Sequence, residues 1–151
     1  MKTVKVTVAQ QSNSFHFRGV NQAGHIVDVD DYTGYESGNG SGVSPMELMI
    51  ISLGACSGID IADILKKGKQ EITDFDMDVE GKKPIGVVPS LFQTIHVTYR
   101  LKGNTTEKRV RRAIDLSLAK YCSAAKTLEK TAKITYDFLL NGEQFEGSVL
   151  G

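Results

Sequence analysis

The stretch that decides the fold is residues 44–68, which read SPMELMIISLGACSGIDIADILKKG. Ser44 is a good N-cap, Pro45 suits the first helical position, and Glu47 follows the cap by three residues, as in a capping box. Two lysines then precede Gly68, a typical residue just past a helix end. These signals predict one long helix from Pro45 to about Lys67.

Apolar residues cover nearly the whole circumference of this predicted helix. A helix of that kind is buried on most sides, so we expect it to form the spine of the core. The residues are Met46, Leu48, Met49, Ile50, Ile51, Leu53, Ala55, Ile59, Ile61, Ala62, Ile64 and Leu65.

Alternating apolar and polar residues predict strands on both sides of the helix. Three short strands come first, followed by a Gly-, Ser- and Asn-rich loop from Tyr32 to Val43. After the helix, Asp74–Glu80 and Phe92–Leu101 alternate as strands. Asn104 and Glu107 predict a capping box that opens a helix to about Tyr121, and a short helical segment, Ser123–Thr131, precedes a strand at Ile134–Leu140. The order βββ-α-ββ-α-α-β predicts an α+β fold with antiparallel sheet and helices on one face.

Length and composition favour one compact domain over 1–151 that needs no metal or disulfide for stability. Lys plus Arg and Asp plus Glu each total 18. That balance argues against a nucleic-acid partner, because such binders usually carry a basic excess.

The alternating residues 1–10 show no signal-peptide core, and the longest apolar run, Leu48–Leu53, is too short to span a bilayer. We therefore expect a cytoplasmic protein without a membrane partner.

Cys56 lies in the middle of the predicted buried helix. A cysteine there is more often an inert small hydrophobe than a nucleophile. However, Gly54 and Gly58 flank it, and each glycine costs about 1 kcal/mol in a helix interior. A helix accepts that cost where another helix, a partner subunit or a substrate approaches its backbone closely.

Cys122 lies at a predicted break between two helices, with Lys126 one turn further on. A thiol at a helix N-terminus is stabilised as thiolate by the helix dipole, and the lysine could add a cation. The alternative is a capping residue without chemistry.

Other site types lack their sequence patterns. The two cysteines fit no zinc-site spacing, and His16, His25 and His96 follow no ligand pattern around them, so we expect no metal. No phosphate loop or nicotinamide motif indicates a cofactor, and the glycines of residues 38–42 lack a strand-to-helix context with a lysine. Thiol chemistry is the strongest remaining candidate.

Three segments together resemble the OsmC/Ohr superfamily: Ser44-Pro45-Met46-Glu47-Leu48, Leu53-Gly54-Ala55-Cys56-Ser57 and Lys120-Tyr121-Cys122-Ser123. The order of elements also matches over nearly the whole chain. The resemblance implies an intertwined homodimer, with sheets of both chains wrapped around central helices. It further implies reduction of organic hydroperoxides in peroxide-stress defence. Cys56 would be the peroxidatic thiol, and Cys122 would resolve its sulfenic acid as a disulfide for an external dithiol reductant, a lipoylated protein in parts of the family.

The chain departs from the peroxidase branches of that superfamily, which pair the reactive thiol with an arginine and a glutamate. Met46 stands at the position of the glutamate, and Glu47 is rotated from it by about 100° on a helix. Arg18 is the one arginine before the helix, and an exposed strand position is as compatible with it as a catalytic one. A buried thiol needs a nearby cation, so Arg18 or Lys126 would have to supply the charge.

Two further functions stay open beside the peroxidase. One is a dimeric protein that binds a small apolar ligand near Met46 and Met49, or that senses redox state without turnover. The other is a structural dimer with two inert buried thiols, since a fold does not fix a function.

Overall fold

The computed structural model describes residues 1–31 and 40–150, with the backbone alone for residues 148–150. The loop predicted over Tyr32–Val43 therefore lies outside the described residues from 32 to 39. The contacts divide the chain into two units, Met1–Met49 and Ile50–Gly151. The single domain over 1–151 stays a prediction.

The first unit contains a three-stranded antiparallel sheet. Its strands are β1 (Val6–Gln10), β2 (Phe17–Asn21) and β3 (Ile26–Val29), paired in the order β1-β2-β3. The turn between β2 and β3 contains Gly24 at φ 87°, a left-handed conformation that glycine adopts without strain. The Oδ1 atom of Asn21 accepts hydrogen bonds from two backbone N–H groups of this turn.

The long helix, α1, runs from Pro45 to Lys67, so its predicted start and end are confirmed. The capping box is formed as expected: the Ser44 N–H donates to Oε1 of Glu47 at 2.9 Å, and the Glu47 N–H donates to Ser44 Oγ at 3.2 Å. Past the helix end, Lys69 rather than Gly68 takes the left-handed conformation, at φ 58°.

The expectation that α1 is buried on most sides is wrong for the single chain. Leu53, Ser57 and Ile61 are buried, whereas Ile51 is 47% and Ile59 71% exposed. The exposed residues Ile51, Ala55, Ile59 and Ala62 recur every three or four positions, so they form one apolar stripe along the helix. One sheet of the same chain covers only the opposite face.

By length and composition α1 is a candidate membrane span, which the short run Leu48–Leu53 did not suggest. The core helix of a soluble protein passes the same test. In α1 only 28% of the candidate span is buried in the single chain, with Leu53 and Ile61 among its buried residues.

The second unit contains a four-stranded sheet, which corrects the all-antiparallel prediction. Its strands are β4 (Glu71–Lys82), β5 (Thr94–Asn104), β6 (Lys133–Leu140) and β7 (Glu143–Leu150). They pair in the order β4-β5-β6-β7, and the central pair β5–β6 is parallel. Helices connect β5 to β6, and such a crossover returns the chain to the same end of the sheet.

Strand β7 was missed by the sequence prediction, which ended at β6. A two-residue turn, Asn141-Gly142, joins the two strands, with φ of 51° and 85°. Asn-Gly is the commonest sequence for a hairpin turn of this kind, so a local signal for the seventh strand was present.

The crossover contains two helices joined by a π-helical turn. They are α2 (Glu107–Leu116), the π-helical turn Ser117–Tyr121, and α3 (Ser123–Leu128). The predicted capping box of Asn104 and Glu107 is wrong, because Asn104 ends β5 and Thr106 caps α2 by accepting from the Arg109 N–H at 3.3 Å. One face of β5 and β6 packs against these helices and forms the buried core of this unit. Its residues are Ile95, Val97, Tyr99, Leu101, Val110, Ile114, Leu118, Ile134, Tyr136 and Phe138.

Candidate functional site

The two cysteines lie side by side although 65 residues separate them in the sequence. Cys56 is half-buried in the middle of α1, and Cys122 is fully buried at the N-cap of α3. Both Sγ atoms and a carboxylate oxygen of Asp60 lie within 4.8 Å of one another. The site is therefore a cluster of two thiols and one acid, brought together by two separate helices.

The glycines beside Cys56 allow strand β4 to pack closely on α1. A Cβ atom on Gly54 would lie 3.2 Å from Sδ of Met77, and one on Gly58 would lie 3.0 Å from its Cε. The close approach that the two glycines indicated is thus made by a methionine of the same chain. It fixes α1 on the sheet with Cys56 at the edge of the buried face.

The π-helical turn sets the position of Cys122. The Cys122 N–H donates to the Ser117 carbonyl at 2.7 Å, which closes the wide turn, and the backbone then becomes extended at φ −75° and ψ 104°. Short π-helical turns are frequent at functional sites. Sγ of Cys122 accepts from the Ala125 N–H at 3.3 Å, so the thiol caps α3.

Burial raises the pKa of the Cys122 thiol to about 12, from an ordinary value of 9.0. Hydrogen bonding to Cys56 and the charge of Asp60 act in the same direction, while the Ala125 N–H acts against them. The helix N-terminus acts as expected, because the Ala125 N–H lowers the pKa of Cys122, but burial outweighs it and the net shift is upward. One N–H of a six-residue helix does not compensate for the lost hydration of a buried sulfur.

Each cation proposed to assist the thiols has an acidic partner. Nζ of Lys126 lies 2.6 Å from Oε1 of Glu129 within α3. Nε of Arg18 lies 2.9 Å from Oδ1 of Asp28 in the first unit, where Arg18, together with His16, lowers the pKa of that carboxyl. The described contacts thus assign both cations to ion pairs.

Met46 and Glu47 both belong to the first turn of α1, where Met46 is half-buried. Glu47 forms the capping box with Ser44. The position that carries a glutamate in the peroxidase branches therefore holds a thioether here.

Asp60 is a residue that the sequence analysis missed. It follows Cys56 by four positions on α1, and this spacing places two side chains on one face of a helix. Oγ of Ser117 donates to Oδ2 of Asp60 at 3.0 Å, so a buried hydroxyl from the π-helical turn orients the carboxylate. The i, i+4 spacing was the available signal, but its meaning depended on Cys122 and Ser117.

A buried chain of hydroxyl groups supports the same turn of α1. The Tyr99 hydroxyl donates to Ser57 Oγ at 2.8 Å, and Ser57 Oγ donates to the Gly54 carbonyl at 3.1 Å. Burial raises the pKa of Tyr99, so this phenol stays protonated. These bonds tie α1 to β5 directly behind Cys56.

Comparison with known proteins identifies the family. The model of the OsmC-like protein family matches residues 38–137, more than half of the sequence. The chain belongs to the OsmC-like protein family. Protein YhfA of Escherichia coli is 34% identical over 123 residues, which cover 81% of this chain and 87% of YhfA.

Solved structures with the same fold agree with this assignment. A hypothetical protein from Aquifex aeolicus superposes with a TM-score of 0.77 at 28% identity, over 93% of this chain and 99% of that one. The organic hydroperoxide resistance protein OhrB of Bacillus subtilis gives a TM-score of 0.63 at 16% identity, over 91% and 98% of the two chains. At that identity the likeness to OhrB shows a shared fold. The predicted α+β, OsmC-like fold is confirmed.

Proposed function

We propose that this OsmC-like protein reduces organic hydroperoxides with the Cys56–Cys122 pair, as part of peroxide-stress defence in the cytoplasm. The observation that carries the proposal is the arrangement of the two thiols: one half-exposed on a helix, the other buried beside it, with both Sγ atoms within 4.8 Å. The half-buried thiol of Cys56 reacts with the substrate, and the fully buried thiol of Cys122 then reacts with the oxidised Cys56.

The reaction proceeds in three steps: reduction of the peroxide, formation of the disulfide and reduction of the disulfide. Cys56 ionises and releases its proton to solvent, and the thiolate attacks the terminal oxygen of the hydroperoxide. The O–O bond breaks, Cys56 becomes a sulfenic acid, and the departing alkoxide takes up one proton from solvent to leave as an alcohol. Cys122 then attacks that sulfur, and its proton leaves with the displaced hydroxide as water. An external dithiol reduces the resulting disulfide and is itself oxidised to a disulfide.

The surroundings of Cys56 favour an organic rather than an inorganic peroxide. Ala55 and Ile59 adjoin it on the exposed apolar stripe of α1. In the homodimer proposed below, this stripe faces its counterpart on a second chain, so the alkyl part of a substrate would enter an apolar site between the two helices; hydrogen peroxide has no such part.

The test adds one equivalent of an organic hydroperoxide to the reduced protein and follows peroxide loss. Mass spectrometry then measures the Cys56–Cys122 disulfide. We expect rapid loss with formation of that bond, and neither of them in Cys56→Ser, whose fold is checked by circular dichroism. Loss at the rate of a free thiol in both proteins would contradict the proposal. A disulfide that forms without turnover under a dithiol would instead identify a redox sensor.

We also propose that two chains form a homodimer through the apolar stripe of α1. Ile51 and Ile59 are exposed in the single chain, although the helix that carries them is the most apolar segment of the sequence. Large apolar side chains that recur on one helix face usually mark an interface.

Ile59→Glu is expected to shift the protein from dimer to monomer in analytical ultracentrifugation. A charge buried at a helix interface costs several kcal/mol, which amounts to roughly a thousandfold weaker association. Ile85→Glu is the matched control, because Ile85 is fully exposed outside the helices and strands. An unchanged sedimentation coefficient in Ile59→Glu would place the interface elsewhere.

A further inference from the structure

We propose that the reduced site binds a thiophilic divalent cation of the Zn²⁺ type through Cys56, Asp60 and Cys122. The three ligand atoms lie within 4.8 Å of one another and come from two rigid helices. In a tetrahedral zinc site the ligand atoms are about 3.5 Å apart, at metal distances of about 2.3 Å for sulfur and about 2.0 Å for oxygen. The separations in the structure exceed that distance by about 1.3 Å at most.

The electrostatics of the site favour a cation. The cluster consists of two thiols and one carboxylate, none of which carries a positive charge. Lys126 and Arg18 are paired with Glu129 and Asp28. Two thiols and a carboxylate that repel each other as anions become mutually stabilised when a divalent cation lies between them.

The donor set selects the class of cation. Two sulfurs and one oxygen suit zinc and other thiophilic metals, whereas magnesium and calcium require oxygen ligands. Three protein ligands leave a fourth tetrahedral position for water or another small ligand.

A hydrogen bond from a buried hydroxyl holds the carboxylate of Asp60. Ser117 Oγ donates to Oδ2 of Asp60 at 3.0 Å, and Ser117 is itself fully buried. Hydrogen bonds from outside the ligand set orient carboxylate ligands in known metal sites. Ser117 has this role here.

Metal binding and oxidation of the site exclude each other. Binding of Zn²⁺ converts both thiols to thiolates and releases about two protons. In the disulfide both sulfurs are bonded to each other, so the oxidised protein lacks two of the three ligands. Metal binding therefore belongs to the reduced state and does not depend on peroxide reduction.

The experiment titrates the full-length protein, reduced with a phosphine, with Zn²⁺ alone in the absence of peroxide. We expect one zinc per chain by calorimetry, with release of about two protons. Titration with Co²⁺ should give the visible absorption of tetrahedral cobalt with thiolate charge transfer.

Asp60→Asn keeps the size of the side chain and an oxygen for the Ser117 hydroxyl, and we expect roughly tenfold weaker binding or more in this variant. Asp63→Asn on the same helix is the matched control and should bind as the wild type does, because Asp63 is exposed and pairs with Lys67. Thermal unfolding of the metal-free variants establishes that they fold. The double variant Cys56→Ser, Cys122→Ser and the oxidised wild type should not bind.

Three results would overturn the proposal: no Zn²⁺ binding by the reduced protein, equal binding by the double serine variant, or octahedral cobalt spectra. Each is read without peroxide, so failure here leaves the hydroperoxide assay to decide the proposed function. Failure of that assay likewise leaves the metal titration intact.

Discussion

Cys122→Ser is expected to reduce one equivalent of organic hydroperoxide rapidly and then to show no catalytic turnover, with further loss of peroxide limited to slow over-oxidation of Cys56. Cys56 remains half-exposed and reacts once, but its sulfenic acid has no neighbouring thiol, so an excess of peroxide oxidises it irreversibly. With an external dithiol, steady-state turnover should fall on the order of 100-fold relative to the wild type. A coupled assay of peroxide loss, with mass spectrometry of Cys56, measures both effects.

The serine substitution separates chemistry from folding. Cys122 caps α3 by accepting from the Ala125 N–H, and a serine hydroxyl is a better N-cap than a thiol. The fold should therefore survive, which circular dichroism checks. Cys56→Ser is the companion variant and should consume no peroxide at all. If Cys122→Ser cycles as fast as the wild type, Cys122 has no resolving role.

The reduced wild-type protein is expected to lose stability at alkaline pH more steeply than Cys122→Ser. The pKa of Cys122 is raised to about 12 in the folded state, so the unfolded chain releases this proton first, near its ordinary value of 9.0. The contribution is fully present below pH 9 and is lost as the pH rises towards 12. The expected slope is about 1.4 kcal/mol in the free energy of unfolding per pH unit.

Urea unfolding of both proteins at pH 8, 9, 10 and 11, with reductant and a chelator present, measures this slope over about three pH units. Tyr99, whose pKa burial also raises, is present in both proteins, so its contribution largely cancels in the difference. A constant difference across this range would mean that Cys122 ionises in the folded state as readily as in the unfolded chain.

The sequence alone predicted the elements whose signals are local. The cap at Ser44, the proline after it and the alternation of acidic and apolar residues around Phe75 each act within a few residues, and the structure contains α1 and β4 where these signals place them. Family membership followed in the same way from three short segments. The Asn141-Gly142 turn was equally local, so the absence of β7 from the prediction was an oversight of a readable signal.

Only the tertiary structure decided the direction of β6 and the composition of the site. A strand pattern has no direction of pairing, and the crossover through α2 and α3 makes β5 and β6 parallel. Asp60 belongs to the site only because the fold brings Ser117 and Cys122, from a distant segment, next to it.

The state of the Cys122 thiol was likewise a tertiary property. The sequence placed it at a helix N-terminus, where the local dipole favours the thiolate. Its burial in the second unit and its two neighbours act in the opposite direction and prevail. The effect of a helix N-terminus on a thiol can be predicted from adjacent residues. Desolvation and charge at a site depend instead on which distant side chains the fold brings into contact.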